Sequence, residues 1–315
     1  MNRAAAYAAN APLMGVPGAS APPGGVGEWF RGAGGLRLRA ALWTPSSLVA
    51  EKPRGTVVLS PGRTEPIEKY FEVIGNFLAR GWCVLAHDWR GQGLSARLLP
   101  DRLKGHARAV EEFLDDYARL LDAYEGRAPK PWVMVGHSMG GTLNLMTLQG
   151  GETRFAGAIL SSPMLRIRTG KRSMWSVKLA VRWNLRHGKA GDYVLDDADD
   201  PFDHTFEKDA LTSDESRYEQ WRQQLYACPH LAVGGPTWGW LAFGLDAEDV
   251  AAARGEVAHD GADVLVGHVD HALLDRLVAL AVDDARVEMG HRHRRRSRRP
   301  AIDGSPLALR ERVRT

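Results

Sequence analysis

Trp132-Val133-Met134-Val135-Gly136-His137-Ser138-Met139-Gly140-Gly141-Thr142-Leu143 is the stretch that decides the fold. The apolar run Trp132–Val135 reads as a buried strand, and the residues from Met139 to about Gln149 read as a helix. Between them a serine sits with glycine two places before it and two places after it. A nucleophilic serine needs its Oγ held out where a base and a substrate can reach it. A sharp strand-to-helix turn does this but crowds the backbone, and Gly136 and Gly140 relieve that crowding. The same turn aims the Met139 amide from the start of a helix, where backbone donors favour developing negative charge. Ser138 is therefore the predicted nucleophile.

Strands and helices alternate on both sides of this turn. Residues 36–43 alternate apolar and charged and read as a half-exposed strand, and Thr56–Leu59 reads as a buried one. Phe71, Ile74, Phe77 and Leu78 predict a helix stopped by Gly81, followed by a strand over Trp82–Ala86. Val110, Phe113, Leu114, Tyr117, Leu120, Leu121 and Tyr124 form one helical stripe, and Phe155–Leu160 is a further strand. This order predicts an α/β fold with a mostly parallel central sheet flanked by helices. The alternation stops between Leu165 and Leu241, which reads as an inserted helical cap. It resumes with a strand at Val264–Val266, a helix through Leu273–Leu280 and a last strand at Ala285–Met289.

The predicted organisation is a flexible arm (1–27), the first part of the core (28–164), the cap (165–241), the end of the core (242–290) and a basic, disordered tail (291–315). Nine arginines against Asp303 and Glu311 give residues 290–315 a charge of +7, so the rest of a chain of net charge +3 carries −4. A mildly acidic body with a basic tail does not suggest a nucleic-acid binder. Cys83 and Cys228 are too few for a disulfide framework, and together with the absence of a signal-like N-terminus they point to a cytoplasmic protein.

Several segments together resemble the monoacylglycerol lipase and lysophospholipase family of α/β-hydrolases. Leu59-Ser60-Pro61-Gly62-Arg63-Thr64-Glu65 takes the place of that family's His-Gly oxyanion loop, with Pro61 in place of His. Asp88-Trp89-Arg90-Gly91-Gln92-Gly93-Leu94-Ser95, the Gly136–Gly141 elbow and Ser161-Ser162-Pro163-Met164 match further segments. Gly234-Gly235-Pro236-Thr237-Trp238-Gly239-Trp240 resembles the cap of bacterial members. The resemblance implies an ester hydrolase of monoacyl lipids that works without metal or cofactor through an acyl-enzyme on Ser138. The amides of Met139 and Arg63 would hold the oxyanion. Asp88 and Arg90 would tie loops beneath the site, and His137 would orient the elbow or line the pocket. Gly267-His268-Val269-Asp270 resembles the family's acid-bearing segment, making Asp270 the candidate acid. Gly290-His291-Arg292-His293 resembles its last one, making His293 the candidate base with His291 second. A hydrolase of small esters or amides on the same fold, or a catalytically impaired hydrolase fold, are the alternatives.

Two stretches stand apart. In residues 171–187, Met174, Val177, Val181 and Leu185 lie on one helical stripe, with Trp175, Leu179 and Trp183 beside it and Lys171, Arg172, Lys178, Arg182 and Arg186 around them. Such a helix suits either a cap packed on the core or transient contact with an anionic membrane, and so a peripheral location. All 25 aromatic residues lie in 1–243, and residues 244–315 lack Lys, Asn and Gln as well. A shifted reading frame in GC-rich DNA would give this bias, which makes the chain after about Phe243 read as foreign to the family.

Overall fold

The structure, a computed structural model, describes residues 8–253 apart from 168, 196–199, 204, 207–211 and 213, together with 263–267. In chain order its strands are β1 (Ala8–Ala9), β2 (Gly25–Arg31), β3 (Arg37–Trp43), β4 (Thr56–Ser60), β5 (Cys83–His87), β6 (Trp132–His137), β7 (Phe155–Ser161) and β8 (Asp263–Gly267). Its α-helices are α1 (Phe71–Ala79), α2 (Val110–Tyr124), α3 (Met139–Gln149), α4 (Met174–Arg186), α5 (Glu215–Ala227) and α6 (Trp238–Ala253).

The strands form one sheet in the order β1-β2-β3-β5-β4-β6-β7-β8. From β5 to β8 every pairing is parallel, whereas β1, β2 and β3 join antiparallel at the β5 edge. Parallel strands covered on both faces have to be apolar throughout. Val58, Leu85, Met134, Ala158 and Leu160 pack on α2, α3 and α6. Val57, Leu59, Val84, Ala86, Val133, Val135 and Ile159 turn to the opposite face and pack on α1. Because these strands pair in parallel, the C-terminal ends of β4, β6, β7 and β8 lie along one edge of the sheet. There Gly136 pairs with Ser60 and with Leu160, and Gly267 pairs with Ser161.

Part of the segment read as a flexible arm makes contacts with the core. Ala8–Ala9 pairs with Glu28–Trp29, and Ala11 and Val16 are buried. The Pro12 carbonyl accepts from Arg39 at 2.8 Å, the Met14 amide donates to Glu68 at 3.1 Å, and the Pro22 carbonyl accepts from the Trp43 indole at 3.1 Å. The segment is held by its backbone polar groups, which leave no apolar period in the sequence.

Between β7 and α6 the chain builds the cap. Val181 of α4 packs on Leu241 and Leu245 of α6, and Leu225 of α5 packs with Cys228 and Leu231 against Met14, Leu94 and Leu103. The cap is stitched to the core by Gly234 N to Leu103 O (2.7 Å), Gly105 N to Gly235 O (3.0 Å) and Thr237 N to Gly105 O (2.9 Å). α6 crosses the expected boundary at residue 241 as one helix, and its Phe243, Ala247 and Ala251 belong to the main core. The helix expected at Leu273–Leu280 and the strand at Ala285–Met289 lie outside the described residues.

Candidate active site

Ser138 stands between β6 and α3 with φ 49° and ψ −117°. A side-chain-bearing residue at positive φ is strained by about 1–3 kcal/mol and persists only where its surroundings over-determine it. Here the Ser138 amide donates to the Ser161 carbonyl (3.0 Å), and its carbonyl accepts from Thr142 (3.1 Å) and Met164 (3.0 Å). A Cβ on Gly136 would lie 2.5 Å from the Asn144 side chain, and one on Gly140 would lie 2.3 Å from the Ser60 carbonyl oxygen and 2.4 Å from that of Pro61. Gly140 therefore lets the first turn of α3 rest directly on the loop after β4. Met139 is the first residue of α3, so its amide shares the partial positive charge of a helix N-terminus.

The loop Pro61–Glu65, expected to supply the second oxyanion donor, is fixed on both sides of Arg63. The Gly62 amide donates to Glu65 Oε2 (2.7 Å), and the Thr64 amide donates to Gln92 Oε1 (2.6 Å), while Gln92 Nε2 returns a bond to the Gly62 carbonyl (3.1 Å). The Pro61 carbonyl accepts from the Trp89 indole at 2.8 Å. Proline in the usual histidine position thus leaves the backbone pinned. The Arg63 side chain has a task that its sequence position did not disclose. Its Nη2 donates to the Gly234 carbonyl and its guanidinium lies 5.0 Å from the Trp240 ring centre, so the loop is clamped to the cap.

His137 Nδ1 lies 2.8 Å from Glu65 Oε2, and the buried Glu65 carboxylate also accepts from Tyr70 OH (2.5 Å) and Lys69 Nζ (3.0 Å). Burial pushes this carboxyl up, but the Lys69 charge and the bonds from His137 and Tyr70 outweigh it and hold it well below the usual carboxylate range. Glu65 and Tyr70 had no mark in the sequence beyond the loop motif that contains Glu65. Asp88 accepts from Arg39 Nε (2.7 Å), the Ile67 amide (2.9 Å) and the Leu94 amide (2.8 Å), and Arg90 pairs with Asp116 (2.6 Å) and Glu112 (2.6 Å). Both tie loops beneath the elbow.

A cavity of about 750 Å³ opens beside the elbow, lined by Glu65, Tyr70, His137 and Ser162 on the core side and by Arg217 and Trp221 of α5 on the cap side. Ser138, Met139 and Arg63 are not among the residues that line it. Gly267, at the end of β8, is paired with Ser161, whose carbonyl holds the Ser138 amide. Asp270, three residues further on, and His291 and His293 lie outside the described residues. Among the described residues no group of three His, Cys, Asp or Glu is placed to hold a metal ion, and no helix is long and apolar enough to cross a membrane.

The fold and the serine elbow together define an α/β-hydrolase. The chain belongs to the Hydrolase_4 family (serine aminopeptidase, S33), which it matches over residues 51–290. It is 29% identical over 258 residues to the lysophospholipase L2 of Escherichia coli K12, covering 80% of this chain and 72% of that one. It is 32% identical over 142 residues to a monoacylglycerol lipase of Mycolicibacterium smegmatis, covering 45% of this chain and 48% of that one. Among solved structures it is similar to a lipase in its open form, with a TM-score of 0.59 at 16% identity over 82% of this chain and 97% of the other. A monoglyceride lipase of Saccharomyces cerevisiae superposes with a TM-score of 0.53 at 15% identity over 81% and 92%. The family match, over residues 51–290, includes part of the stretch after Phe243 that the sequence sets apart.

Proposed function

We propose that the chain hydrolyses the ester of a monoacyl lipid, a lysophospholipid or a monoacylglycerol, through an acyl-enzyme on Ser138. The observation that carries this reading is the Ser138 elbow, strained to φ 49° and resting through Gly140 on the Pro61–Glu65 loop. Oγ of Ser138 attacks the acyl carbonyl while the amides of Met139 and Arg63 hold the oxyanion. His293, with His291 second, takes the serine proton and passes it to the leaving alcohol, and Asp270 orients that histidine. Water activated by the same base then releases the fatty acid and restores Ser138. The names of the relatives support the substrate class. Transient contact with a membrane surface through the cap, and hence a peripheral location, belong to this reading.

Release of fatty acid from a long-chain lysophospholipid, compared with a water-soluble short-chain ester, tests it. The reading requires turnover that rises with acyl length. Turnover confined to the short ester would replace it with a hydrolase of small esters.

A further inference from the structure

The first turn of α6 is seated on His106, a buried imidazole in the loop before α2. Its Nδ1 lies 2.8 Å from Thr237 Oγ1. Thr237 is wholly buried just before α6, and its hydroxyl oxygen also accepts from the Trp240 amide at 3.2 Å, which satisfies one of the unpaired donors of the helix start. A Cβ on Gly239 would lie 2.5 Å from His106 Cε1 and 2.8 Å from the Ala107 carbonyl oxygen, so glycine lets that turn rest directly on the ring. The Ala190 carbonyl accepts from the Gly239 amide at 2.8 Å and from the His106 ring. One imidazole on the core thus meets two separate segments of the cap. Burial, helped by the Arg108 and Lys104 charges, pushes its pKa down against the Ala190 bond and the Glu112 charge, so the ring is neutral near pH 7.

The same turn reaches the site. Trp240, its third residue, has its ring centre 5.0 Å from the Arg63 guanidinium, and Arg63 Nη2 donates to the Gly234 carbonyl. His106, Trp240, Arg63 and Met139 line one narrow cavity, so the imidazole and both residues expected to supply the oxyanion donors face a common space. Gly105 closes the frame, with its amide on the Gly235 carbonyl (3.0 Å) and its carbonyl on the Thr237 amide (2.9 Å).

We infer that His106 is a positioning residue for the hydrolysis: by seating Thr237 and Gly239 it fixes Trp240, and through Trp240 it holds Arg63 and the loop after β4 in register with the start of α3. An imidazole suits this place because it offers a flat face to the Gly239 turn and polar atoms at its edge to Thr237 and Ala190, where a phenyl ring offers the face alone. The inference rests on the reading of the Arg63 amide as an oxyanion donor and adds what keeps that donor in place.

The test is hydrolysis of a water-soluble p-nitrophenyl ester by the full chain, with tryptic cleavage after the exposed Lys189, next to Ala190, as a second readout. His106→Phe keeps a ring and loses both bonds. It should lower kcat on the order of ten- to a hundredfold with KM little changed, and quicken cleavage after Lys189 on the order of tenfold. His106→Asn, which keeps a polar group near the Nδ1 position, should recover most of kcat. In an Arg63→Ala background, His106→Phe should lower kcat further by less than about twofold, because both changes release the same loop. Thr237→Val takes the place of His106→Phe should that variant not fold. Wild-type kcat in His106→Phe overturns the inference, as do losses from His106→Phe and Arg63→Ala that multiply, or a His106→Asn variant no better than His106→Phe. A wild-type chain that cleaves no ester overturns the hydrolase reading instead. Cleavage after Lys189 then decides the seat by itself: faster cleavage in His106→Phe upholds it, and an unchanged rate overturns it.

Discussion

His137 Nδ1 and Glu65 Oε2 lie 2.8 Å apart, joining the residue before the elbow serine to the loop expected to hold the oxyanion. The same carboxylate accepts the Gly62 amide at 2.7 Å, so one buried group spaces both halves of the site. Glu65→Gln keeps the shape but removes the charge and turns one acceptor into a donor facing other donors. It should cost about 1–3 kcal/mol of stability, read by thermal or urea unfolding. It should also lower kcat with little change in KM, since no substrate contact is lost. A kcat equal to wild type would show that the elbow and loop are positioned without this link.

Gly140→Ala tests the contact between helix and loop. The added Cβ would meet the Ser60 and Pro61 carbonyl oxygens at 2.3 and 2.4 Å, and neither backbone group can step aside without moving the loop. Loss of one oxyanion donor costs on the order of 10²–10³ in kcat, and a loss of that size is expected here from steady-state kinetics. Gly126→Ala, whose Cβ would meet nothing within 4 Å, should be indistinguishable from wild type.

Arg63→Ala should free the loop from the cap. It removes the bond to the Gly234 carbonyl and the stacking on Trp240, yet keeps the backbone amide at that position. Misplacement of the loop by a fraction of an ångström should lower kcat on the order of ten- to hundredfold, and limited proteolysis within the cap should become faster. Arg63→Lys can keep one donor but not the planar stack, and should fall between the two. Unchanged proteolysis together with unchanged kcat would mean that the clamp is dispensable.

Acid should destabilise the fold through His87. Burial lowers this imidazole from 6.5 to about 4, against a smaller opposing effect of Asp88. Between those values the unfolded chain binds a proton that the folded chain does not, so stability falls as the pH drops from about 6.5 and levels off near 4. The total loss from this group is about 3 kcal/mol. Urea midpoints measured across that range should show the slope, and His87→Gln should flatten it. A His87→Gln variant with the wild-type slope would assign the effect to other groups.

The parallel half of the sheet was legible because its strands are buried on both faces and carry unbroken apolar runs. Thr56–Ser60, Cys83–His87, Trp132–His137 and Phe155–Ser161 lie within a residue or two of where the sequence puts them. The Ser138 turn was legible for a local reason, since glycines two places to each side answer to contacts made within that turn and its neighbouring loop. The docked N-terminal segment was not, because it is held through the carbonyls of Pro12 and Pro22, which any residue could supply. Nor were the partners of Glu65 and Arg63. His137 is 72 residues from Glu65, and Gly234 is 171 from Arg63, so only the folded topology brings them together. Asp270, His291 and His293 rest on the resemblance of short segments alone.

The central claim is that Ser138 carries the acyl group. Its most direct test is fatty-acid release from a long-chain lysophospholipid by the purified chain beside Ser138→Ala, with intact-mass analysis of the wild-type chain after reaction with a fluorophosphonate. The account predicts turnover by wild type, loss of several orders of magnitude in Ser138→Ala, and a single adduct that maps to Ser138. Turnover that survives in Ser138→Ala, or an adduct on another residue, would contradict it.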